Sequence, residues 1–189
     1  MTFIDQWLRA DIKDIKAYHV PSSNNMLKMD AMESPFGIPE DLKQDFLDCI
    51  AQAQVNRYPD SNAEELHTTI RSLMDIPNDL GVLLGNGSDE LIQLLAMACN
   101  SGDIVMSFEP SFVMYEMVAK FTQLNYQGIK LNDKFEIDLE NTLKAITSNK
   151  PKLIFIAYPN NPTGNSFDYE AIKEIIKSMM PGGSVIGCP

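Results

Sequence analysis

The stretch Gly81-Val82-Leu83-Leu84-Gly85-Asn86-Gly87-Ser88-Asp89-Glu90-Leu91-Ile92-Gln93-Leu94-Leu95-Ala96-Met97-Ala98-Cys99 decides the fold class. It reads as a short apolar run, a glycine turn and an amphipathic segment. The run predicts a strand over 81–84. The segment predicts a helix over 88–99, because Leu91, Leu94, Leu95 and Ala98 recur at i, i+3, i+4 and i+7. Towards the carboxyl terminus the same rhythm repeats. Strands are expected over 103–108, 124–129, 152–157 and 184–186, and helices over 112–121, 139–148 and 168–179. Strand and helix in alternation predict an α/β fold, a mostly parallel sheet with helices on both faces. Before residue 80 the pattern gives helices over 39–54 and 62–74, and an arm over 20–39 rich in Pro, Ser and Asn. The expected organisation is an amino-terminal arm (1–38), a large domain (39–180) and a tail (181–189). In the tail Pro181-Gly182-Gly183 opens a turn, and Gly187-Cys188-Pro189 stops the strand-like run. A buried strand with no following helix leaves a sheet face uncovered, so a truncated α/β domain is expected.

With 189 residues, 44% hydrophobic and 22% charged, the chain can bury a core of its own. No apolar run approaches the roughly 20 residues of a membrane-spanning helix, and the first ten residues include Asp5, Gln6 and Arg9, unlike a secretion signal. A cytoplasmic protein is expected. Cys49, Cys99 and Cys188 are widely spaced and have no metal-ligand neighbours, so they read as buried, inert thiols with no metal site. The methionines read as core filler, and His19 and His67 as incidental. A net charge of −11 excludes nucleic acid as a natural partner. It also means that an anionic ligand would need backbone amides or a positioned arginine to hold it.

The sharpest local signal is Gly85-Asn86-Gly87-Ser88-Asp89-Glu90. Glycines let backbone approach a ligand closely, and the free N–H groups and dipole of a helix start favour a phosphate. The same residues also describe an ordinary capped helix. Gly85-x-Gly87 after a strand, with Glu109 after the next, raises a dinucleotide fold, but Glu90 stands where the third glycine belongs. The second signal, Tyr158-Pro159-Asn160-Asn161-Pro162-Thr163-Gly164, follows an apolar strand at the sheet end where ligands bind. It is equally a turn, although two prolines would hold an Asn amide in fixed orientation. Asn56-Arg57-Tyr58-Pro59-Asp60 and Glu109-Pro110-Ser111-Phe112 are weaker, readable as connections between elements.

In this order, with Asp30-Ala31-Met32-Glu33-Ser34-Pro35-Phe36-Gly37 before them, these segments resemble the aspartate-aminotransferase-like family of pyridoxal-phosphate enzymes, and most closely its histidinol-phosphate aminotransferase branch. The likeness covers the chain up to about residue 180. It implies pyridoxal 5'-phosphate as cofactor, with Gly87, Ser88 and Asp89 at its phosphate and Tyr58 reaching that phosphate across a homodimer interface. It also implies that Phe112 stacks on the ring, that Asn161 donates to the ring's phenolate oxygen, and that Tyr18 lies near a small-molecule substrate. Ser34 and Phe36 depart from the branch, which commonly has Asn and Tyr there. The implied reaction, in histidine biosynthesis, converts glutamate and imidazole acetol phosphate to histidinol phosphate and 2-oxoglutarate.

The family continues with an Asp-Glu-Ala-Tyr strand and a Ser-Lys segment whose lysine carries the cofactor; here the chain reads Gly183-Ser184-Val185-Ile186-Gly187-Cys188-Pro189. No catalytic residue is therefore assigned, since Lys150, Lys152, Lys173 and Lys177 match nothing in the family. The expectation is an inactive truncated transaminase. The rivals are a non-catalytic phosphate- or dinucleotide-binding α/β fragment, an aggregating fragment, and another aminotransferase or a threonine-phosphate decarboxylase sharing these motifs.

Overall fold

The computed structural model describes residues 3–13, 15, 22, 24–28 and 33–188, in two contact units: Lys16–Val82, and Met1–Ile15 with Leu83–Pro189. Tyr18 and residues 30–32 lie outside the described residues. The chain opens with two short helices, α1 (Phe3–Trp7) and α2 (Ala10–Lys13).

The Lys16–Val82 unit contains α3 (Glu40–Gln52) and α4 (Glu64–Leu73). Glu40 and Asp41 occupy the first turn of α3, where their charge complements the helix dipole. Ahead of α4, the Asp60 carboxylate accepts the backbone N–H groups of Asn62 (3.0 Å) and Glu64 (2.9 Å), which holds its pKa below the usual carboxylate range. No described residue of this unit is buried, and Leu42, Phe46 and Ile50 form an exposed apolar row on α3.

In the other unit, α5 (Ser88–Met97), β1 (Ile104–Glu109), α6 (Met114–Phe121), β2 (Asn125–Lys130), α7 (Leu139–Asn149), β3 (Leu153–Ala157), α8 (Tyr169–Ser178) and β4 (Ser184–Cys188) follow in turn. The four strands form one parallel sheet in the order β2-β1-β3-β4. Alternate side chains of the central strands enter different cores, as the two-residue period of a strand requires. Val105, Leu153, Phe155 and Ala157 meet Ile92 and Ala96 of α5 and Tyr115, Val118 and Ala119 of α6. Met106, Phe108, Ile154 and Ile156 meet Ile146 of α7 and Ile175 of α8 on the opposite face. Helices thus cover both faces. Each buried Ile or Phe removes apolar surface worth about 1.5–3 kcal/mol, so these two clusters dominate the unit's stability. Asp138 caps α7 by accepting from the Asn141 N–H (3.1 Å), and Asp168 caps α8 by accepting from the Glu170 N–H (3.1 Å). Arg9 donates to the carbonyls of Phe121 (2.9 Å) and Lys120 (3.1 Å), placing a cation at the carboxyl end of α6.

Several expectations need correction. Residues 81–84 form no strand. Val82 and Leu84 are half-buried and Leu83 is exposed, a period-two pattern, yet among the described residues no neighbouring strand pairs with them, and without a ladder the pattern makes no strand. The inward stripe of α5 is Ile92, Leu95, Ala96 and Cys99, while Leu94 is 41% exposed. α5 is apolar around most of its circumference, so periodicity alone did not fix its phase. Met106 is buried, but Met26, Met74, Met97 and Met180 are exposed, and so is the Cys49 thiol.

Candidate functional site

From β1 the chain crosses through α6 to β2 on one side; from β2 it returns through α7 to β3 on the other side of β1. The carboxyl ends of β1 and β3 therefore flank a topological switch point, the crevice where open parallel sheets bind ligands. Residues 110–112 leave β1 at this edge, and residues 158–164 leave β3 beside them. α5 leads through residues 98–103 into the amino end of β1. Of the sequence-predicted residues, Phe112 and Asn161 lie on the loops that leave this edge, and Gly87, Ser88 and Asp89 lie at the start of α5. Tyr58 belongs to the other unit, where it is exposed, and Tyr18 lies outside the described residues.

The loops after β1 and β3 are joined through Asn160, which is 2% exposed. Its Nδ2 donates to the Pro110 carbonyl (3.0 Å) and to Thr163 Oγ1 (2.7 Å), and its Oδ1 accepts from Ser111 Oγ (3.1 Å). Asn161, the next residue, is half-exposed, and its side-chain amide has no hydrogen bond among the described residues. Of the two asparagines one holds the loops together, and the other makes no side-chain hydrogen bond to the described residues. The sequence reading assigned a role to Asn161 and none to Asn160; consecutive asparagines carry no periodic signal that separates the buried one from the half-exposed one.

Gly87 sits at φ 86°, ψ 172°, a region essentially confined to glycine, and it forms the N-cap of α5. No side chain caps this helix. Its exposed first-turn N–H groups consequently remain available to an anion. A Cβ at Gly85 would lie 2.8 Å from Leu91 Cδ2, so the Leu91 side chain packs over the bare α-carbon. The Glu90 carboxylate accepts the Asn86 N–H and so folds back onto the turn. With a carboxylate there, and no strand ahead of the turn, the dinucleotide fingerprint fails on two counts.

Phe112 is half-buried, edge-on to Tyr115 with ring centroids 5.6 Å apart, and Tyr115 stacks on Phe155 at 4.9 Å. Phe112 also lines a cleft of about 700 Å³ at the β1–β2 end of the edge, with Glu109, Tyr126, Lys130 and Phe135. Glu109 lies over the bare α-carbon of Gly128, where a Cβ would come within 1.9 Å of its Oε1. Burial raises the Tyr126 pKa, its 2.7 Å bond with Ser107 Oγ opposes that rise, and the Glu109 charge adds to it. The buried Tyr115 hydroxyl lies beside the Cys188 thiol, and desolvation raises the pKa of both groups. Lys150 and Lys152 stand at the amino end of β3, away from this edge, and Lys173 and Lys177 pair with Glu170 (3.0 Å) and Glu174 (2.8 Å) on α8. Among the described residues no cluster suits a metal ion.

The uncapped α5 start, the half-buried Phe112 ring and the Asn161 amide are the groups here that could hold a ligand. The family model for aminotransferase class I and II matches residues 24–183. A histidinol-phosphate aminotransferase of Vesicomyosocius okutanii is 61% identical over 94% of this chain, and the match covers 50% of that protein. One from Thiocapsa roseopersicina is 48% identical over 93% of this chain and 94% of its own length. A crystal structure of histidinol-phosphate aminotransferase from Sinorhizobium meliloti, in complex with pyridoxal-5'-phosphate, superposes with a TM-score of 0.72 at 18% identity, over 84% of this chain and 42% of that one. The chain thus spans about half the length of the first relative and nearly all of the second.

Proposed function

Since the chain belongs to the class I and II aminotransferase family, we propose that it provides the phosphate- and ring-binding part of a pyridoxal-phosphate-dependent histidinol-phosphate aminotransferase. What supports this reading is the uncapped start of α5 in a chain whose Phe112 and Asn161 loops flank the β1–β3 switch point and are joined through Asn160. The first-turn amides after Gly87, with the Ser88 hydroxyl, would hold the cofactor phosphate, and the helix dipole offsets the neighbouring Asp89 and Glu90 charges. Phe112 would stack on one ring face, and Asn161 would donate an N–H to the phenolate oxygen. These contacts orient the ring and exclude water from it. When bound, pyridoxal phosphate supplies an electron sink that makes the α-proton of an amino acid removable.

For the whole protein the proposed reaction is transfer of an amino group from glutamate to imidazole acetol phosphate, in the cytoplasm, as a homodimer in which Tyr58 serves the partner's phosphate. The exposed row of Leu42, Phe46 and Ile50 on α3 supports a second copy as partner. Tyr18 is proposed near the substrate. No catalytic role is proposed for Lys130, which lines the cleft at this edge, and residues 1–189 are expected to bind cofactor without turnover.

Calorimetric titration of the chain with pyridoxal phosphate and, separately, with NAD tests the reading. Saturable binding of pyridoxal phosphate alone is expected, weakened in Gly87→Ala, which forces a Cβ into the φ 86° conformation. Binding of NAD, or indifference to both, would contradict it.

A further inference from the structure

Asn160 has no part in the contacts assigned above, yet it is the most fully engaged polar side chain at the site edge. Besides its three side-chain bonds, its backbone N–H donates to the Asn165 carbonyl (2.9 Å), and its carbonyl accepts from the Gly164 N–H (2.7 Å). The network continues outward. Thr163 Oγ1 donates to Asn165 Oδ1, and Asn165 Nδ2 donates to the Phe135 carbonyl (2.9 Å). The loops after β1, β3 and β2 are therefore tied in one line, with Asn160 as its buried centre. Position matters as much as number: Ser111 is covalently next to Phe112, and Asn160 is next to Asn161. One amide thus fixes the residue before the stacking ring against the residue before the free amide, from loops about fifty positions apart in sequence.

We propose that Asn160 is a positioning residue which sets the distance and tilt between Phe112 and Asn161, so that a ring stacked on the one meets the donor of the other. The proposal rests on the cofactor reading given above. A buried network with every member satisfied specifies a single geometry, and a partly broken one loses it. The phosphate end of the site, Gly87 to Asp89, has no bond to this network. Its strength is accordingly independent of Asn160.

The probe is pyridoxamine 5'-phosphate, which needs no lysine, with inorganic phosphate as the second ligand, both titrated into the full chain. Asn160→Asp keeps the side-chain shape but replaces the two N–H donors with an oxygen. Ser111→Ala removes one bond at nearly constant volume and serves as the milder variant. Asn160→Asp is expected to weaken pyridoxamine phosphate about tenfold and to move the emission of the bound ring towards that of free ligand. Ser111→Ala should act in the same direction by roughly threefold. Inorganic phosphate should bind both variants within about twofold of the parent, and amide hydrogen exchange at residues 111–113 should quicken in Asn160→Asp. Parent-like affinity and emission in both variants would overturn the role of Asn160, as would loss of inorganic phosphate in parallel with the ring in both. Failure of the parent itself to bind pyridoxamine phosphate would instead sink the cofactor reading, and this proposal with it.

Discussion

The two contact units handle their apolar side chains in opposite ways. In the unit built from Leu83–Pro189, strands β1 and β3 bury nearly every residue, alternately into two cores. In Lys16–Val82, helices α3 and α4 carry clear apolar rows, yet no described side chain is buried. The difference teaches where stability resides. A helix with an amphipathic stripe is stabilised chiefly by what covers that stripe, and a sheet with helices on both faces supplies its own cover.

Two substitutions of one kind would break or sharpen this contrast. Phe155→Ala removes a 1%-exposed ring stacked on Tyr115 and should cost about 3–5 kcal/mol in denaturant unfolding. Phe46→Ala, at a 49%-exposed position on α3, should stay within about 0.5 kcal/mol. Equal losses would show that α3 is buried in solution.

The pH extremes separate the units more gently. Tyr115 and Tyr126 have pKa values raised mainly by burial, so their contribution to stability is complete below the unfolded tyrosine value near 10 and falls as pH rises beyond it. Alkaline titration should therefore loosen the sheet unit, read as near-ultraviolet dichroism of the tyrosines. Asp60 behaves in the reverse sense. Its lowered pKa gives a contribution present above about pH 4 and lost as pH falls through the folded value. Acid titration should release its bonds to Asn62 and Glu64, a small effect visible as fraying of the α4 amides.

Much of this architecture is legible in the residues. The runs at 103–108, 124–129, 152–157 and 184–186 coincide with β1 to β4 to within one or two positions, because each is short and follows a helix-like stretch in the alternating rhythm of the chain. Asp138 and Asp168 mark the starts of α7 and α8, because a carboxylate at the N-cap accepts a first-turn N–H. What local pattern does not carry is anything that depends on a neighbour. The run at 81–84 is strand-like, but pairing decides whether it is a strand. The phase of α5 depends on which of its many apolar residues meets the sheet. Asn160 and Asn161 are chemically identical and adjacent, and only the arrival of Pro110 and Ser111 from β1 distinguishes the locked amide from the free one.

The most direct test of the account is a map of backbone amide shifts in the full chain as pyridoxamine 5'-phosphate is added. Gly87, Ser88 and Asp89 should move together with Phe112 and Asn161 at a common midpoint, since all five are assigned to one ligand. Shifts confined to other positions, or a helix start that responds while Phe112 and Asn161 stay fixed at saturation, would contradict it.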